Sequence, residues 1–159
     1  MFRIGYGYDV HEFDPTRPLI IGGLEIEHTH GLKGHSDADV LLHAITDAIL
    51  GAASLGDIGN YSQIQTQLLK MKIQSYCLKK LYEQVLKKGY KLGNVDATIV
   101  AEQPKFRPYI DQMRSLIASV LEVSIEDINV KATTNEKLGF LGREEGIQAQ
   151  AVVLLTSKE

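Results

Sequence analysis

Residues 36–54 read Ser-Asp-Ala-Asp-Val-Leu-Leu-His-Ala-Ile-Thr-Asp-Ala-Ile-Leu-Gly-Ala-Ala-Ser, and their pattern predicts one amphipathic helix. Asp37 stands where an N-cap belongs, because a carboxylate there accepts N–H groups that the first helical turn leaves unpaired. The apolar side chains recur at the spacing of a single helix face. They are Val40, Leu41, Ala44, Ile45, Ala48, Ile49 and Ala52. We therefore expect this helix to pack its apolar face against a sheet.

The opposite face of the predicted helix carries a row of polar side chains. Asp39, His43 and Asp47 follow one another at i, i+4 and i+8, which places them on one stripe. Most such stripes are simply solvated, but a solvated stripe usually carries Lys and Glu rather than Asp around a His. His43 followed one turn later by Asp47 suits a metal ligand that a carboxylate holds in place.

Upstream of the helix, residues 3–11 (Arg-Ile-Gly-Tyr-Gly-Tyr-Asp-Val-His) predict an extended strand. Side chains two residues apart on a strand project from the same face, so Asp9 and His11 point together. A carboxylate and an imidazole are ligands that zinc accepts, and His43 is the third ligand that we expect. The sequence therefore predicts a zinc site with three protein ligands and one position open for chemistry.

The remaining pattern predicts one α+β domain over residues 1–159, a two-layer sandwich. We expect a mixed four-stranded sheet with helices on one face, plus a small β-hairpin that turns at Gly22-Gly23. Further helices are predicted over residues 63–88 and 110–121. Besides the first strand, the predicted sheet strands are residues 94–102, 128–132 and 147–155, and a connection is expected over residues 133–142.

Composition excludes several classes of protein. The 159 residues are 44% hydrophobic, enough for one domain with a buried core. A net charge of −3 argues against nucleic-acid binding. No apolar stretch is long enough to span a membrane, and the N-terminus lacks a signal-peptide pattern. Cys77 is the only cysteine, so no internal disulfide is possible and we expect a cytoplasmic location.

Other short motifs are weaker or absent. Gly5-x-Gly7 is not a dinucleotide fingerprint, because Val10 stands where the third glycine is required. There is no Walker A motif and no nucleophile elbow. Residues 56–59 (Gly-Asp-Ile-Gly) are either a ligand-approaching loop or an ordinary helix cap and turn. Residues 131–140 carry hydroxyls, a carboxylate and two lysines, which suits either phosphate and Mg²⁺ contacts or an ordinary capped turn.

Four motifs together resemble the 2-C-methyl-D-erythritol 2,4-cyclodiphosphate synthase family. They are residues 9–11 (DVH), 34–53 (GHSDADVLLHAITDAILGAA), 56–59 (GDIG) and 131–146 (KATTNEKLGFLGREEG), which follow the family's order over nearly the whole chain. The resemblance implies a phosphorus–oxygen lyase of non-mevalonate isoprenoid biosynthesis. Its substrate is 4-diphosphocytidyl-2-C-methyl-D-erythritol 2-phosphate, whose 2-phosphate attacks the β-phosphorus and releases CMP. A phosphate monoester is already largely dianionic at neutral pH, so no protein nucleophile is needed.

The resemblance also implies roles for individual residues. Asp9, His11 and His43 would hold Zn²⁺, Glu136 would anchor Mg²⁺ or Mn²⁺, and His35 and Thr134 would be catalytic, as stabilisers of the transition state. The implied substrate-binding residues are Asp9, Val10, His11, His35, Ser36, Asp57, Ile58, Gly59, Ala101, Glu102, Gln103, Pro104, Lys105, Phe106, Arg107, Ala132, Thr133, Thr134, Asn135, Glu136, Phe140 and Arg143. Residues 101–107 with Ala132 and Thr133 would form the cytidine pocket.

The family assembles as a homotrimer with each active site between neighbouring chains. Residues that match Tyr8, Phe140 and Arg143 line a channel on the threefold axis, where a prenyl diphosphate can bind. This chain has Gln150 where the family often has a carboxylate, so Arg143 is expected to lack an acidic partner. It also has Asn-Tyr-Ser-Gln-Ile-Gln-Thr-Gln at 60–67, where the family usually has a segment like FPDTDP.

Two alternative functions stay open at this point. One is a zinc-dependent phosphohydrolase, in which Asp47 or His35 acts as the base for a metal-bound water. The other is a non-catalytic trimeric module that binds nucleotides or prenyl diphosphates.

Overall fold

Seven strands and four helices make up residues 1–59 and 73–158, the part of the chain that the computed structural model describes. The strands are β1 (Phe2–Asp14), β2 (Leu19–Ile21), β3 (Leu24–Ile26), β4 (Gly31–Leu32), β5 (Tyr90–Val100), β6 (Ile128–Thr133) and β7 (Gly146–Ser157). The helices are α1 (Val40–Ala52), α2 (Gln74–Lys87), α3 (Ile110–Leu121) and α4 (Gly139–Gly142), with 3₁₀ turns at Arg107–Tyr109 and Ile125–Asp127.

Five of the strands form one mixed sheet in the order β4-β1-β7-β5-β6. The pairs β1–β4, β1–β7 and β5–β7 are antiparallel and β5–β6 is parallel, while β2 and β3 form a separate hairpin. The predicted α+β domain is therefore confirmed, but the predicted number of four sheet strands is wrong. The fifth strand, β4, pairs Gly31 and Leu32 with the end of β1. Two residues are too few to produce an alternating pattern that could be read in advance.

Helix α1 lies directly on β1 because two glycines of the strand leave room for it. A Cβ atom at Gly5 would lie 1.7 Å from the carbonyl oxygen of Ala48, and one at Gly7 would lie 1.8 Å from that of Ala44. Any side chain at either position would push the helix off the strand. The Gly5-x-Gly7 pair therefore serves helix–strand packing, and it fixes how close α1 comes to β1.

The core lies between the helices and one face of the sheet. Alternate residues of β7 are buried there, together with most of the apolar residues of α1. The opposite face of the sheet is exposed, and on β1 it presents apolar side chains. We call these residues the outer strip of β1: Phe2, Ile4, Tyr6, Tyr8 and Val10. None of the helices in the described residues is long and apolar enough to cross a membrane.

The start of α1 differs from its prediction. The N-cap is Asp39 rather than Asp37, and its Oδ1 accepts the N–H of Leu42 at 3.0 Å. The same carboxyl group accepts the N–H groups of Gly22 at 3.0 Å and Gly23 at 2.7 Å, so it joins the β2–β3 hairpin to the helix. Asp39 is therefore buried, and the expectation that it lies on the exposed polar row is wrong.

Two other predicted segments are changed or incompletely seen. The helix predicted over residues 63–88 is present as α2 from Gln74 to Lys87, while residues 63–72 lie outside the described residues. The segment at 60–67 that departs from the family pattern also lies outside them. The connection predicted over residues 133–142 contains the short helix α4, which brings the chain into β7.

Candidate active site

Asp9, His11 and His43 meet where β1 passes beneath α1. His11 Nε2 lies 2.9 Å and His43 Nδ1 lies 3.6 Å from Asp9 Oδ2. One ligand atom from each of the three residues lies within 4.8 Å of the others. The two predictions from local spacing, a strand pair and a helix histidine, thus converge on one point of the structure.

The geometry at Asp9 fits a cation better than a network of hydrogen bonds. Asp9 Oδ2 is buried and has no hydrogen-bond partner, although His11 Nε2 is only 2.9 Å away. The oxygen and the nitrogen are therefore close together without a hydrogen bond between them. A buried oxygen without a partner is costly unless a metal or another donor satisfies it. One carboxylate and two imidazoles suit a divalent ion.

Asp47 holds the other side of the His43 ring. Its Oδ2 lies 3.4 Å from His43 Nε2, so Nδ1 is the nitrogen that faces Asp9. Burial by itself would lower the pKa of His43, but the contact with Asp47 and the charge of Asp9 outweigh it and raise the pKa. Asp47 Oδ1 also accepts the N–H of Ile58 at 3.0 Å, which ties the Gly56–Gly59 loop to the candidate metal ligands. We call Asp9, His11 and His43 the metal cluster.

The loop that carries His35 and Ser36 packs against the same cluster. A Cβ atom at Gly34 would lie 3.3 Å from His11 Cε1, so the loop backbone passes directly beside this ligand. His35 itself is exposed, next to the cluster rather than within it. Asp57 and Gly59, on the loop that Asp47 holds, are exposed as well. These residues form one side of the candidate site.

A second cluster of the predicted residues lies on another part of the sheet. It lines a pocket formed by Glu102, Gln103, Lys105, Thr134, Glu136, Lys137, Gly142, Arg143 and Glu144. Glu102 shapes it, because its carboxylate accepts the N–H of Asn135 at 2.7 Å and that of Lys137 at 3.2 Å. We call residues 134–144 the pocket loop. Its anionic, cationic and hydroxyl groups suit a diphosphate with a divalent metal.

Strand register shows how far Asp9 lies from the end of β6, where the chain enters the pocket loop. Asp9 pairs with Ala149, Ala149 with Ile99, and Ile99 with Ala132, so Asp9 and Ala132 lie in one row across the sheet. Three strand spacings separate them, which is roughly 14 Å. The metal ligands of β1 and the start of the pocket loop therefore lie at one end of the sheet, three strand spacings apart.

Comparison with known proteins decides the family. Residues 2–156 match the sequence profile of the YgbB family. The chain belongs to the YgbB family. A curated relative from Bacillus mycoides (strain KBAB4) is 58% identical over 158 residues, 99% of this chain and 100% of the relative. That relative is named 2-C-methyl-D-erythritol 2,4-cyclodiphosphate synthase.

Solved structures agree with this placement in the YgbB family. The bifunctional IspDF from Campylobacter jejuni has a TM-score of 0.93 and 45% identity, and the match covers 100% of this chain. This chain spans only 43% of that protein's length. IspF from Plasmodium falciparum, described as a CDP complex, has a TM-score of 0.86 and 34% identity, covering 99% of this chain and 97% of that one.

Some residues expected from the resemblance have structural surroundings that limit their role. The side chain of Phe106 is buried in the core, so only its backbone can face a ligand. Ala101 is buried as well, whereas Ala132 and Thr133 are exposed at the end of β6. Phe140 is exposed on the pocket loop. Of the residues predicted to contact cytidine, Ala101 and Phe106 therefore have only backbone groups to offer, whereas Gln103, Lys105 and Arg107 have exposed side chains.

The charge of Arg143 is not left unmatched, contrary to the expectation from Gln150. Arg143 Nε donates to Glu145 Oε2 at 2.7 Å, while Gln150 donates from Nε2 to Gln148 Oε1 at 3.0 Å. Glu145 therefore gives Arg143 a carboxylate partner that residue 150 does not supply. The residue was overlooked because its contact spans the turn between α4 and β7, which no strand or helix period reveals.

The sequence assigned no specific role to two residues of the pocket, and it indicated Lys137 only as one of the two lysines in residues 131–140. Lys137 and Glu144 line it beside Glu136, and both lie in the motif quoted for the family. The backbone is left-handed at Glu136, Lys137 and Glu144, with φ values of 54°, 61° and 60°. Non-glycine residues in that conformation cost free energy and often occur at functional sites, but no local pattern in the sequence predicts them.

Proposed function

We propose that this YgbB-family chain is a 2-C-methyl-D-erythritol 2,4-cyclodiphosphate synthase. It would convert 4-diphosphocytidyl-2-C-methyl-D-erythritol 2-phosphate to the cyclic diphosphate and CMP. The observation that carries the proposal is the convergence of Asp9, His11 and His43 on one point, beside the loop that carries His35. The relative named for this activity is 58% identical over its full length.

The residues of the two clusters suit a reaction that joins two anionic phosphates. Asp9, His11 and His43 would hold Zn²⁺, and Glu136 would hold Mg²⁺ or Mn²⁺. When bound, these ions supply charge neutralisation and orientation for the diphosphate. His35 and Thr134 would donate hydrogen bonds to phosphoryl oxygens as negative charge moves from the attacking 2-phosphate oxygen to the departing CMP. Lys105 and Lys137 line the Glu136 pocket and would offset phosphate charge.

The substrate supplies its own nucleophile, so the chain needs to position groups rather than to activate one. The 2-phosphate oxygen forms a bond to the β-phosphorus, and the bond from that phosphorus to the CMP oxygen breaks. The attack is already intramolecular, so the site would contribute by holding the 2-phosphate oxygen in line with the bond that breaks and by neutralising the charge of both phosphates. Asp57 and Gly59 would hold the methylerythritol portion, and residues 101–107 with Ala132 and Thr133 the cytidine.

We also propose that the chain works as a homotrimer, with each site shared between neighbours. Two features support this assembly. Within one chain, Asp9 lies roughly 14 Å across the sheet from Ala132, which just precedes the pocket loop, and this separation favours a pocket loop supplied by a neighbour. The outer strip of β1 leaves a row of apolar side chains exposed, which is typical of an interface. A neighbour could cover this strip and bring its pocket loop to the metal cluster.

Two finer proposals concern ligand and location. Tyr8, Phe140 and Arg143 could line a channel for a prenyl diphosphate on the trimer axis, although Glu145 already pairs Arg143 and weakens the attraction for anions. We propose a cytoplasmic location because the single cysteine, Cys77, is buried and unpaired, as in proteins of reducing compartments.

The test is to follow the products by phosphorus NMR after incubating the zinc-loaded protein and Mg²⁺ with the diphosphocytidyl substrate. The cyclic diphosphate and CMP in equal amounts are the expected products. CMP with an uncyclised diphosphate would instead identify a phosphohydrolase. Asp47 is poorly placed as the base for that reaction, since it already contacts His43 and the N–H of Ile58. Binding without turnover would identify the non-catalytic module.

A further inference from the structure

The side chain of Arg17 spans the backbone on both sides of His35. Arg17 lies in the connection between β1 and β2 and is half-buried. Its Nη1 donates to the carbonyl oxygen of Gly34, and its Nη2 donates to that of Ser36. These two carbonyl groups belong to the residues immediately before and after His35. A single planar guanidinium therefore contacts the backbone on either side of the residue expected to touch the substrate.

The loop that Arg17 contacts has few hydrogen bonds of its own that would fix its backbone. Residues 34–38, which we call the His35 loop, belong to no helix or strand. Their own contacts are long: the N–H of Ala38 reaches Ser36 Oγ at 3.4 Å, and that of Asp39 reaches Asp37 Oδ1 at 3.3 Å. Ala38 adopts the left-handed conformation with φ of 56°, which a non-glycine residue keeps only when its surroundings enforce it.

A second contact braces the same loop from helix α2. Gln74, at the first residue of α2, donates from Nε2 to Ser36 Oγ at 3.0 Å. Its backbone N–H also donates to Asp37 Oδ2 at 3.2 Å. Gln74 thus restrains the C-terminal half of the loop through side chains, whereas Arg17 restrains the backbone on both sides of His35. Of these two residues, only Arg17 binds the carbonyl groups on either side of His35, which set the direction of its imidazole.

We propose that Arg17 is a positioning residue for the phosphoryl transfer, acting through His35. This inference rests on the proposed function. Arginine suits the task because its rigid fork engages two acceptors at a fixed spacing, whereas a lysine ammonium is a single point of contact. Without the fork, the His35 loop would sample other arrangements while the metal ligands on β1 and α1 stay in place. Misplacement of a catalytic group by about 1 Å is enough to cost on the order of 100-fold in rate.

A double-mutant cycle with His35 tests this role. Arg17→Ala should lower kcat by about 30-fold to 100-fold. The zinc content should stay at the wild-type level, and KM should change by less than about threefold. In the His35→Ala background, the same Arg17 change should cost no more than about twofold, because the residue through which it acts is gone. Fully additive losses in the double mutant would overturn the proposal, since a general structural role would add its full effect.

Arg114 provides a matched control for loss of a structural arginine. It is also half-buried and donates to two backbone carbonyls, those of Ile128 at 2.7 Å and Ile125 at 3.2 Å, away from both clusters. Arg114→Ala should lower the melting temperature while leaving kcat nearly unchanged. Arg17→Lys, which keeps the charge but not the fork, should fall between Arg17→Ala and wild type, and it replaces Arg17→Ala if that variant fails to fold.

Hydrogen–deuterium exchange separates failure of this inference from failure of the proposed function. Peptides covering the His35 loop should exchange faster in Arg17→Ala than in wild type, and not in Arg114→Ala. If the wild-type protein makes no cyclic product, the proposed function is wrong, but the exchange measurement still tests the brace. Unchanged exchange in the His35 loop of Arg17→Ala would overturn the inference whatever the activity.

Discussion

The metal cluster and the pocket loop differ in what holds their side chains in place. Asp9 and His11 project from β1 and His43 from α1, and the close contact at Gly5 and Gly7 fixes the distance between these two elements. The pocket loop instead follows the end of β6. It depends on the carboxylate of Glu102, which follows β5 and accepts the N–H groups of Asn135 and Lys137.

This difference suits the metal cluster to binding an ion and the pocket loop to adjusting around a ligand. Side chains on a packed helix and strand keep one arrangement, which suits a metal that demands fixed distances. A loop held by a few polar contacts can adjust, which suits a diphosphate that enters and a nucleotide that leaves. We therefore expect changes in the metal cluster to remove activity outright, and changes around the pocket loop to alter ligand requirements in graded steps.

The largest effect is expected from His43→Ala. Two remaining ligands form a poor zinc site, so the variant should retain little zinc. Loss of several kcal/mol of charge stabilisation corresponds to a fall in kcat/KM of about 10³-fold or more. Elemental analysis and the product assay, performed on the same preparation, measure the two effects.

Asp47→Asn should have the same kind of effect on zinc binding as His43→Ala, but a smaller one. An amide still fits beside His43 Nε2 but cannot balance the charge of the ring, so zinc affinity should fall by about 10-fold to 100-fold. If His43→Ala proves as zinc-loaded as wild type, the assignment of the metal ligands is wrong.

A smaller effect is expected from Glu136→Gln on the pocket loop. A neutral amide is a weaker ligand for a hard cation than a carboxylate. The Mg²⁺ concentration for half-maximal turnover should rise about tenfold, equivalent to about 1.4 kcal/mol. The zinc content should not change. A Mg²⁺ titration identical to that of wild type would exclude Glu136 as the anchor of the second metal.

Glu102→Gln should act on the pocket loop more weakly still. The amide oxygen can accept from Asn135 or Lys137 but carries no charge, so we expect a local loss of about 1–2 kcal/mol. KM for the substrate should rise several-fold while zinc binding and the melting temperature stay close to wild type. Glu83→Gln, which removes one partner of a surface pair with Lys80, is the control and should change neither quantity. A KM equal to that of wild type would show that Glu102 does not shape the pocket.

The features that sequence predicted are those that depend on local period. Asp9 and His11 are two apart on a strand, and His43 and Asp47 are four apart on a helix, so their shared directions follow from backbone geometry. Asp39 has the same helical spacing to His43, yet it is buried at the helix start by contacts with Gly22 and Gly23. Those contacts join the start of α1 to the turn between β2 and β3, and the spacing of residues along the helix does not predict them.

Long-range polar contacts are what sequence could not predict. Arg17 and Glu102 each bind the backbone of a loop that is distant in the sequence and whose path is set by packing elsewhere. The family resemblance supplied positions for most site residues but no reason for their placement. The fifth strand was missed for a related cause, since pairing of β4 depends on where β1 ends.

The smallest expected effect concerns Asp39, the buried carboxyl group at the start of α1. Burial raises the pKa of Asp39 to about 7, even though the N–H groups of Leu42, Gly23 and Gly22 pull it the other way. The unfolded chain releases this proton near pH 3.9, whereas the folded chain keeps it up to neutral pH. Folding therefore takes up a proton between these values, so the contribution of Asp39 to stability falls as pH rises from about 4 to about 7.

Asp39→Asn removes that titration while preserving much of the shape of the cap. The melting temperature of wild type minus that of the variant should be larger at pH 5 than at pH 8, because only the wild-type fold is stabilised by protonation of residue 39. The matched control for the exchange of a carboxylate for an amide is Asp111→Asn, whose parent side chain is 90% exposed and which should change the melting temperature little. A pH-independent difference for Asp39→Asn would mean that the carboxyl group stays ionised in the fold. In that case the three N–H donors outweigh burial, and the cap contributes as a charged group at the helix start.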